Sequence, residues 1–459
     1  MVMVINNSTA LKPIAIPKWL VALVDLSLAN LGLFFSFLLV SRELQGFQIG
    51  PLLVLLPSIA IVTVFLFNNL GLYSRPDSDF MVLLRALVTG VIGLALFSIL
   101  FAFLTRAFLF QRTVFLLAPL LQLLLLLCWR ILYWKLDRWV QGQKRLLVIG
   151  RIIDSEEILE QIGQMTKGPY IVTRVIEPVS IDEQANFLEE VEAVMLVGAL
   201  GLEIKNRIIR DCFDRNLEVL IVPGLYEIIL TKASMTQIHD TPIIECQEMQ
   251  PGFMQFFSKR CMDLAIALLL SGPALLLLIP LLAAIRLNST GPVIYRQERV
   301  GLKGRIFTLY KLRTMIIDAE ATSGPVFATE EDDRVTAVGR FLRTTRLDEL
   351  PQLYNVLRGD LSLVGPRPER PYFVSQFEEQ MPEYRLRHLV KPGMTGLAQV
   401  AGHYATNTDD KLRYDLYYIS DYSLLLDFKI LLLTIPTLLN REAAKGMRRQ
   451  LVGRLEHHG

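Results

Sequence analysis

Asp348 and Glu349 stand side by side in the last third of the chain, and Pro351 follows as a helix stop. Lys311, Arg313, Arg340, Arg343, Arg358 and Arg367 crowd the same region. Arginine and lysine supply forked or point-charge donors for phosphate oxygens. Arg367 lies between Pro366 and Pro368, which restrict the backbone and pre-organise the side chain. Adjacent residues on a helix point about 100° apart, so the two carboxylates need not share a role. One can attack while the other supports it or helps to bind metal. An isolated Asp-Glu pair is most often a solvated surface feature; the fixed prolines, glycines and arginines around this one make it a phosphate-handling site.

The elements that must position these groups are partly legible. Gly291–Gly301 and Gly304–Tyr310 form two short strands of a hairpin that turns at Gly301–Gly304. Lys311–Met315 and Asp318 follow, then Asp333-Arg334, Arg358–Asp360, Leu363–Glu369 and Lys391–Gln399. The histidines His239, His388 and His403 are scattered and structural, with no zinc-type cluster. The four cysteines are far apart and read as reduced thiols.

The first third is of another kind. The chain is 52% hydrophobic with a mean hydropathy of +0.40, which calls for lipid-facing segments. The net charge of +2 gives no nucleic-acid signal. Apolar runs at Trp19–Val40, Pro51–Tyr73, Met81–Leu104 and Thr113–Trp134 each exceed the roughly 20 residues a bilayer core requires. The first is too long for a cleavable signal peptide. Their charges are few: Asp25, to which no function is assigned, and Arg85 and Arg130, which are expected to snorkel from the run ends. Basic residues favour a cytoplasmic N-terminus, which puts everything after residue 140 in the cytoplasm. A fifth run, Leu264–Ile285, holds Ser271, Pro273 and Pro280 and has basic residues at both ends. It is expected to enter the membrane, bend and return.

Residues 144–250 alternate strands (Arg145–Gly150, Tyr170–Ile176, Ala193–Val197, Glu218–Val222) with helices (154–164, 182–191, 204–215). That alternation predicts a Rossmann-like parallel α/β domain. After the first strand the chain lacks the second and third glycines that a dinucleotide needs, so the domain is expected to bind no cofactor. The fold class is a membrane protein of α + α/β type. Residues 1–143 form four transmembrane helices, 144–250 the Rossmann-like domain, 251–288 the re-entrant helix, and 289–459 a small α/β catalytic domain.

On the blocks Lys259-Arg260-x-x-Asp263, Gly291–Gly301, Phe307–Met315, Arg343–Gly365, Pro366–Pro368 and Lys391–Gln399, residues 259–440 resemble the polyprenyl-phosphate hexose-1-phosphate transferases. These are the large monotopic phosphoglycosyl transferases. The resemblance implies transfer of a hexose-1-phosphate from a UDP-sugar to undecaprenyl phosphate. UMP is released, and exopolysaccharide, capsule or O-antigen repeat units are begun at the cytoplasmic face of a bacterial inner membrane. It implies Asp348 as nucleophile and Glu349 as its partner, both working with Mg²⁺. Lys311, Arg313, Arg343 and Arg367 are implied as substrate contacts, with Asp415 as a late acidic position among them. Downstream glycosyltransferases and, as one option for assembly, a second copy of the chain are the further partners. Many members break the membrane helix with a mid-helix Ser-Pro pair, whereas here the prolines fall at 273 and 280. Two alternatives stand beside this: a membrane-tethered NAD(P)-dependent sugar-nucleotide oxidoreductase, and a non-catalytic regulator of polysaccharide export.

Overall fold

The computed structural model describes residues 17–41, 50–73, 80–104, 112–141, 143–150, 169–178, 188, 190–198, 200–231, 233–246, 249–317, 332–401 and 407–438. The chain divides into two compact units, Met1–Val222 and Pro223–Gly459.

The first unit opens with helices α1 (Lys18–Ser41), α2 (Gly50–Asn69), α3 (Phe80–Leu104) and α4 (Arg112–Gln141). Each packs on its sequence neighbours, and α1 on α4 closes the ring. Lys18–Val40, Leu83–Leu104 and Thr113–Asp137 are long and apolar enough to cross a membrane. The 20 residues of α2 span about 30 Å at the helical rise. Leucines and isoleucines such as Ile61, Leu96, Leu116 and Leu120 cover the outside. Asp25, Ser36, Thr63, Gln122 and Arg130 lie inside. Gly32 lets α1 and α4 touch: a Cβ there would sit 2.9 Å from the Gln122 nitrogen, and Gln122 Nε2 donates to the Ala29 carbonyl at 3.0 Å. Arg130 does not snorkel. It is buried, ion-paired to Asp25 and hydrogen-bonded to the Leu72 carbonyl at 2.7 Å. A carboxylate on a neighbouring helix makes the interior the lower-energy place for its charge.

Then come β1 (Lys144–Ile149), β2 (Tyr170–Ile176), β3 (Ala193–Leu196), α5 (Leu202–Asp214) and β4 (Glu218–Ile221). The strands form a wholly parallel sheet in the order β2-β1-β3-β4. The expected helix 154–164 and most of 182–191 lie outside the described residues.

The second unit begins with α6 (Leu225–Leu230) and the hairpin β5 (Ser234–Ile238)–β6 (Thr241–Glu245). Ile228 of α6 packs with Val300, Val374, Tyr384, Leu412 and Leu416, so a segment expected in the middle domain belongs to the core of this unit. Helix α7 (Phe253–Asn288) carries the fifth apolar run, with Pro273 and Pro280 inside it. The antiparallel hairpin β7 (Ile294–Val300)–β8 (Ile306–Leu312) turns through Leu302–Gly304, with Lys303 and Gly304 at positive φ. Helices α8 (Ala337–Thr345) and α9 (Gln352–Arg358), strand β9 (Ser362–Val364), α10 (Pro371–Gln380), the 3₁₀ stretch Pro382–Leu389, β10 (Gly393–Thr395), α11 (Leu397–Ala401), α12 (Thr408–Ser420) and α13 (Leu424–Leu438) complete it. Strands β9 and β10 pair in parallel.

Helix α7 is tied to this unit along its length. Lys259 Nζ meets Asp427 of α13 at 2.6 Å, and Arg260 donates to the Val356 and Leu357 carbonyls that end α9. Asp263 accepts from Ser362 Oγ and the Leu363 amide. Nearer its far end, Leu278, Leu281, Leu282 and Ile285 pack with Leu312 and Leu342. Between these attachments Leu268, Leu269, Leu275, Leu276 and Ile279 are exposed. Ser271 Oγ bonds back to the Ala267 carbonyl at 2.6 Å, within the helix.

Candidate active site

The local sequence delivers Asp348 and Glu349 by a sharp break. Thr336 caps α8 by accepting the Gly339 amide at 3.0 Å. At its other end Arg346 adopts the left-handed conformation, φ 58°. The chain then makes a single 3₁₀ turn, Leu347–Glu349, before Pro351 starts α9. In a 3₁₀ turn successive side chains diverge by about 120°, more than the helix expected for the pair. Asn355 fixes α9 to β8: its Oδ1 accepts the Tyr310 amide at 3.1 Å and its Nδ2 donates to the Thr308 carbonyl at 2.7 Å.

The divergence gives the carboxylates different surroundings. Glu349 Oε1 accepts from Arg367 Nη2 at 2.9 Å and lies 3.3 Å from Lys311 Nζ. Burial alone would raise its pKa, but Arg367 and Lys311 override that and hold it below the usual carboxylate range. Asp348, among the described residues, takes no hydrogen bond or ion pair. Burial, with the adjacent Glu349 charge, pushes its pKa up, while Lys311, Arg343 and Arg367 pull it down. Burial lowers the Lys311 pKa against the pull of Glu349. The pair thus sets a carboxylate anchored by two cations beside an open one that has no ion pair.

The Pro366–Glu369 segment is pinned from outside because its prolines have no N–H with which to bond internally. Gly393 N donates to the Pro366 carbonyl, Arg387 Nη2 to Arg367, Arg299 Nη1 to Pro368 and Val300 N to Glu369, all at 2.8–3.0 Å. Gly365, Gly393 and Gly396 let the two strands close backbone to backbone. A Cβ at Gly393 would lie 2.1 Å from the Gly365 nitrogen, and one at Gly396 would lie 2.3 Å from the Gly365 oxygen.

The other expected contacts separate. Arg343 Nε donates to Thr314 Oγ1 at 2.9 Å and acts electrostatically on Asp348. Arg313 does not join Lys311: β8 ends at Leu312, strand alternation stops, and the guanidinium turns to the Ser289 oxygens. Asp415 is buried and paired to Arg387 at 2.7 Å, so its link to the site runs through Arg387 to the Arg367 carbonyl. Arg387, Asn355 and Thr314 were not singled out from sequence. A buried arginine midway between two motifs carries no local signal. Asp318 lies outside the described residues.

Magnesium takes oxygen ligands and is usually held by one or two carboxylates together with substrate phosphates. Among the described residues no group of three or more His, Cys, Asp or Glu side chains could hold a metal. Glu349 Oε1 already serves two cations, and Asp348 is open. That donor set fits an ion arriving with a phosphate-bearing substrate.

Residues 254–441 match the bacterial sugar transferases. A UDP-N-acetylgalactosamine-undecaprenyl-phosphate N-acetylgalactosaminephosphotransferase of Aeromonas hydrophila is 39% identical over 246 residues, 52% of this chain and 56% of that protein. A UDP-glucose:undecaprenyl-phosphate glucose-1-phosphate transferase of Caulobacter vibrioides is 46% identical over 193 residues, 40% of this chain and 71% of that protein. An uncharacterized sugar transferase of Bacillus subtilis is 42% identical over 184 residues, 40% of this chain and 88% of that protein. The chain belongs to the bacterial sugar transferase family. It spans about half the length of its longer curated relatives.

Proposed function

We propose that the protein transfers a sugar-1-phosphate from a UDP-sugar to undecaprenyl phosphate and so begins a polysaccharide repeat unit. The observation that carries this is the open Asp348 carboxylate beside a Glu349 already neutralised by Arg367 and Lys311. Asp348 attacks the β-phosphorus; the bond to the bridging oxygen breaks and UMP leaves with that oxygen. A phosphate oxygen of the acceptor then attacks the same phosphorus and the Asp348–phosphorus bond breaks. Splitting the transfer predicts ping-pong kinetics. Arg343 and Arg367 offset the charge that builds up on the phosphoryl oxygens. Mg²⁺, held by Asp348 and substrate phosphates with support from Glu349, would add further charge neutralisation.

The acceptor stays in the bilayer, so the site has to work at the headgroup plane. Helix α7 would run about 54 Å if straight, longer than a bilayer core. Yet one and the same unit holds it from Lys259 to Ile285, which favours re-entry at the cytoplasmic face over crossing. The α1–α4 bundle would span the bacterial inner membrane. No observation favours the nicotinamide-dependent alternative. The test is UMP release from a panel of UDP-sugars by the full chain with undecaprenyl phosphate; no release from any of them overturns the proposal.

A further inference from the structure

Arg313 is 7% exposed, and among the described residues it has no carboxylate partner. Nη2 donates to the Ser289 carbonyl at 2.8 Å and to Ser289 Oγ at 2.7 Å. Among the described residues, Nε and Nη1 are buried without a hydrogen-bond partner. A buried charge without a counter-charge is costly, and an arginine cannot shed its proton to escape that cost. Gly291 makes room for it: φ is +106°, and a Cβ there would lie 2.6 Å from Arg313 Nη1. On the other side of Gly291, Arg286 Nη1 donates to its carbonyl at 3.0 Å.

Arg286 and Ser289 line a cleft of 420 Å³ where α7 ends; Arg313 is not in its lining and reaches it through its bonds to Ser289. Arg286, Asn288, Ser289 and Thr290 form its polar wall, and Leu287, Ile316 and Ile317 its apolar one. Its three apolar residues are 88%, 52% and 49% exposed, at the level where the lipid-facing part of α7 gives way to polar chain. A cationic wall backed by an uncompensated arginine and facing an apolar one suits an anionic head on a hydrocarbon tail.

We propose that this cleft binds the phosphate of a membrane lipid, with Arg286 on its wall and Arg313 behind Ser289 as counter-charges, and with the Thr290 hydroxyl as a donor, joined by Ser289 Oγ once it releases its 3.4 Å bond to the Ile285 carbonyl. It is a second anion site, apart from the Glu349–Arg367 cluster, where the lipid phosphate docks before it moves to Asp348 for the transfer. The identity of the lipid as the polyprenyl phosphate acceptor rests on the transferase reading; a bulk anionic phospholipid offers the same chemistry.

The test uses the full chain in phosphatidylcholine nanodiscs, with Arg286→Gln, Ser289→Ala and Arg313→Gln. Arg286 is exposed, so its variant keeps the question answerable should Arg313→Gln misfold. Undecaprenyl phosphate should raise the Tm of the wild type but not of the variants. The KM for undecaprenyl phosphate should rise on the order of tenfold, as for one lost charged hydrogen bond, with the KM for the UDP-sugar moving less than about twofold. Replacing part of the phosphatidylcholine with phosphatidylglycerol separates the sources. Competition with undecaprenyl phosphate in the wild type alone assigns the cleft to lipid phosphates generally, and its absence assigns it to the acceptor. Unchanged KM values and an unchanged Tm shift in Arg286→Gln overturn the proposal, as does a rise confined to the UDP-sugar KM. If the wild type releases no UMP, the transferase reading fails and the Tm shift alone decides the cleft.

Discussion

Glu349 accepts a hydrogen bond from Arg367 at 2.9 Å through the oxygen that also faces Lys311. The more strongly paired member of the dyad is therefore not the one left open for attack. Asp348→Asn should abolish UMP release, since an amide is no nucleophile for phosphorus. Because burial disfavours the Asp348 anion, that variant should keep or raise the Tm at neutral pH. Glu349→Gln should lower both activity and Tm, leaving Arg367 and Lys311 without their counter-charge. Differential scanning fluorimetry and a UMP assay on both variants check the contrast; equal Tm losses would remove it.

The raised pKa of Asp348 fixes the direction of a pH effect. The attacking form is the anion, so the donor half-reaction is lost as pH falls through the raised value. Its acid limb should stand above the ordinary aspartate value of about 3.9. Single-turnover UMP release across pH checks this, and a limb at or below that value would contradict it.

Asp415 acts behind the site. Asp415→Asn leaves Arg387 buried without its partner and should cost about 3–5 kcal/mol of stability. Denaturant unfolding measures this. Activity should fall with it, because Arg387 also holds the Arg367 carbonyl.

In the bundle, Arg130→Leu alone strands Asp25 and should destabilise by about 3–5 kcal/mol. Asp25→Leu combined with Arg130→Leu should recover most of that loss, because an apolar pair removes the stranded charge. Thermal unfolding in nanodiscs is the readout; a double variant as unstable as the single would show that more than charge compensation is at stake.

Topology gives the last prediction. With the exposed native cysteines replaced, Phe257→Cys and Ser289→Cys should both be labelled only from the cytoplasmic side. Labelling of either from outside makes α7 a crossing helix.

The apolar runs, the hairpin turn and the approach of Lys311 and Arg367 to Asp348-Glu349 were legible because composition, glycine spacing and charge are local properties. Arg130 was not: a single charge near a run end suits snorkelling equally well, and only Asp25, far away in the chain, decides otherwise. Arg313 and Lys311 share a strand face by alternation, and the end of β8 between them has no mark in the residues themselves. Asp415 was placed by resemblance alone, and its partner Arg387 has no mark in the sequence. The strand order β2-β1-β3-β4 is a matter of crossover direction, to which hydrophobic alternation is blind.

The glycine seam between Gly365, Gly393 and Gly396 leaves nothing to vary on either side of it. A cavity can be refilled and a clash relieved by trimming a neighbour, but here the nearest neighbour of each glycine is main chain. Divergence in proteins built on this plan therefore has no stepwise route through the seam. The strap that carries Arg367 keeps its place whatever changes in the side chains around it.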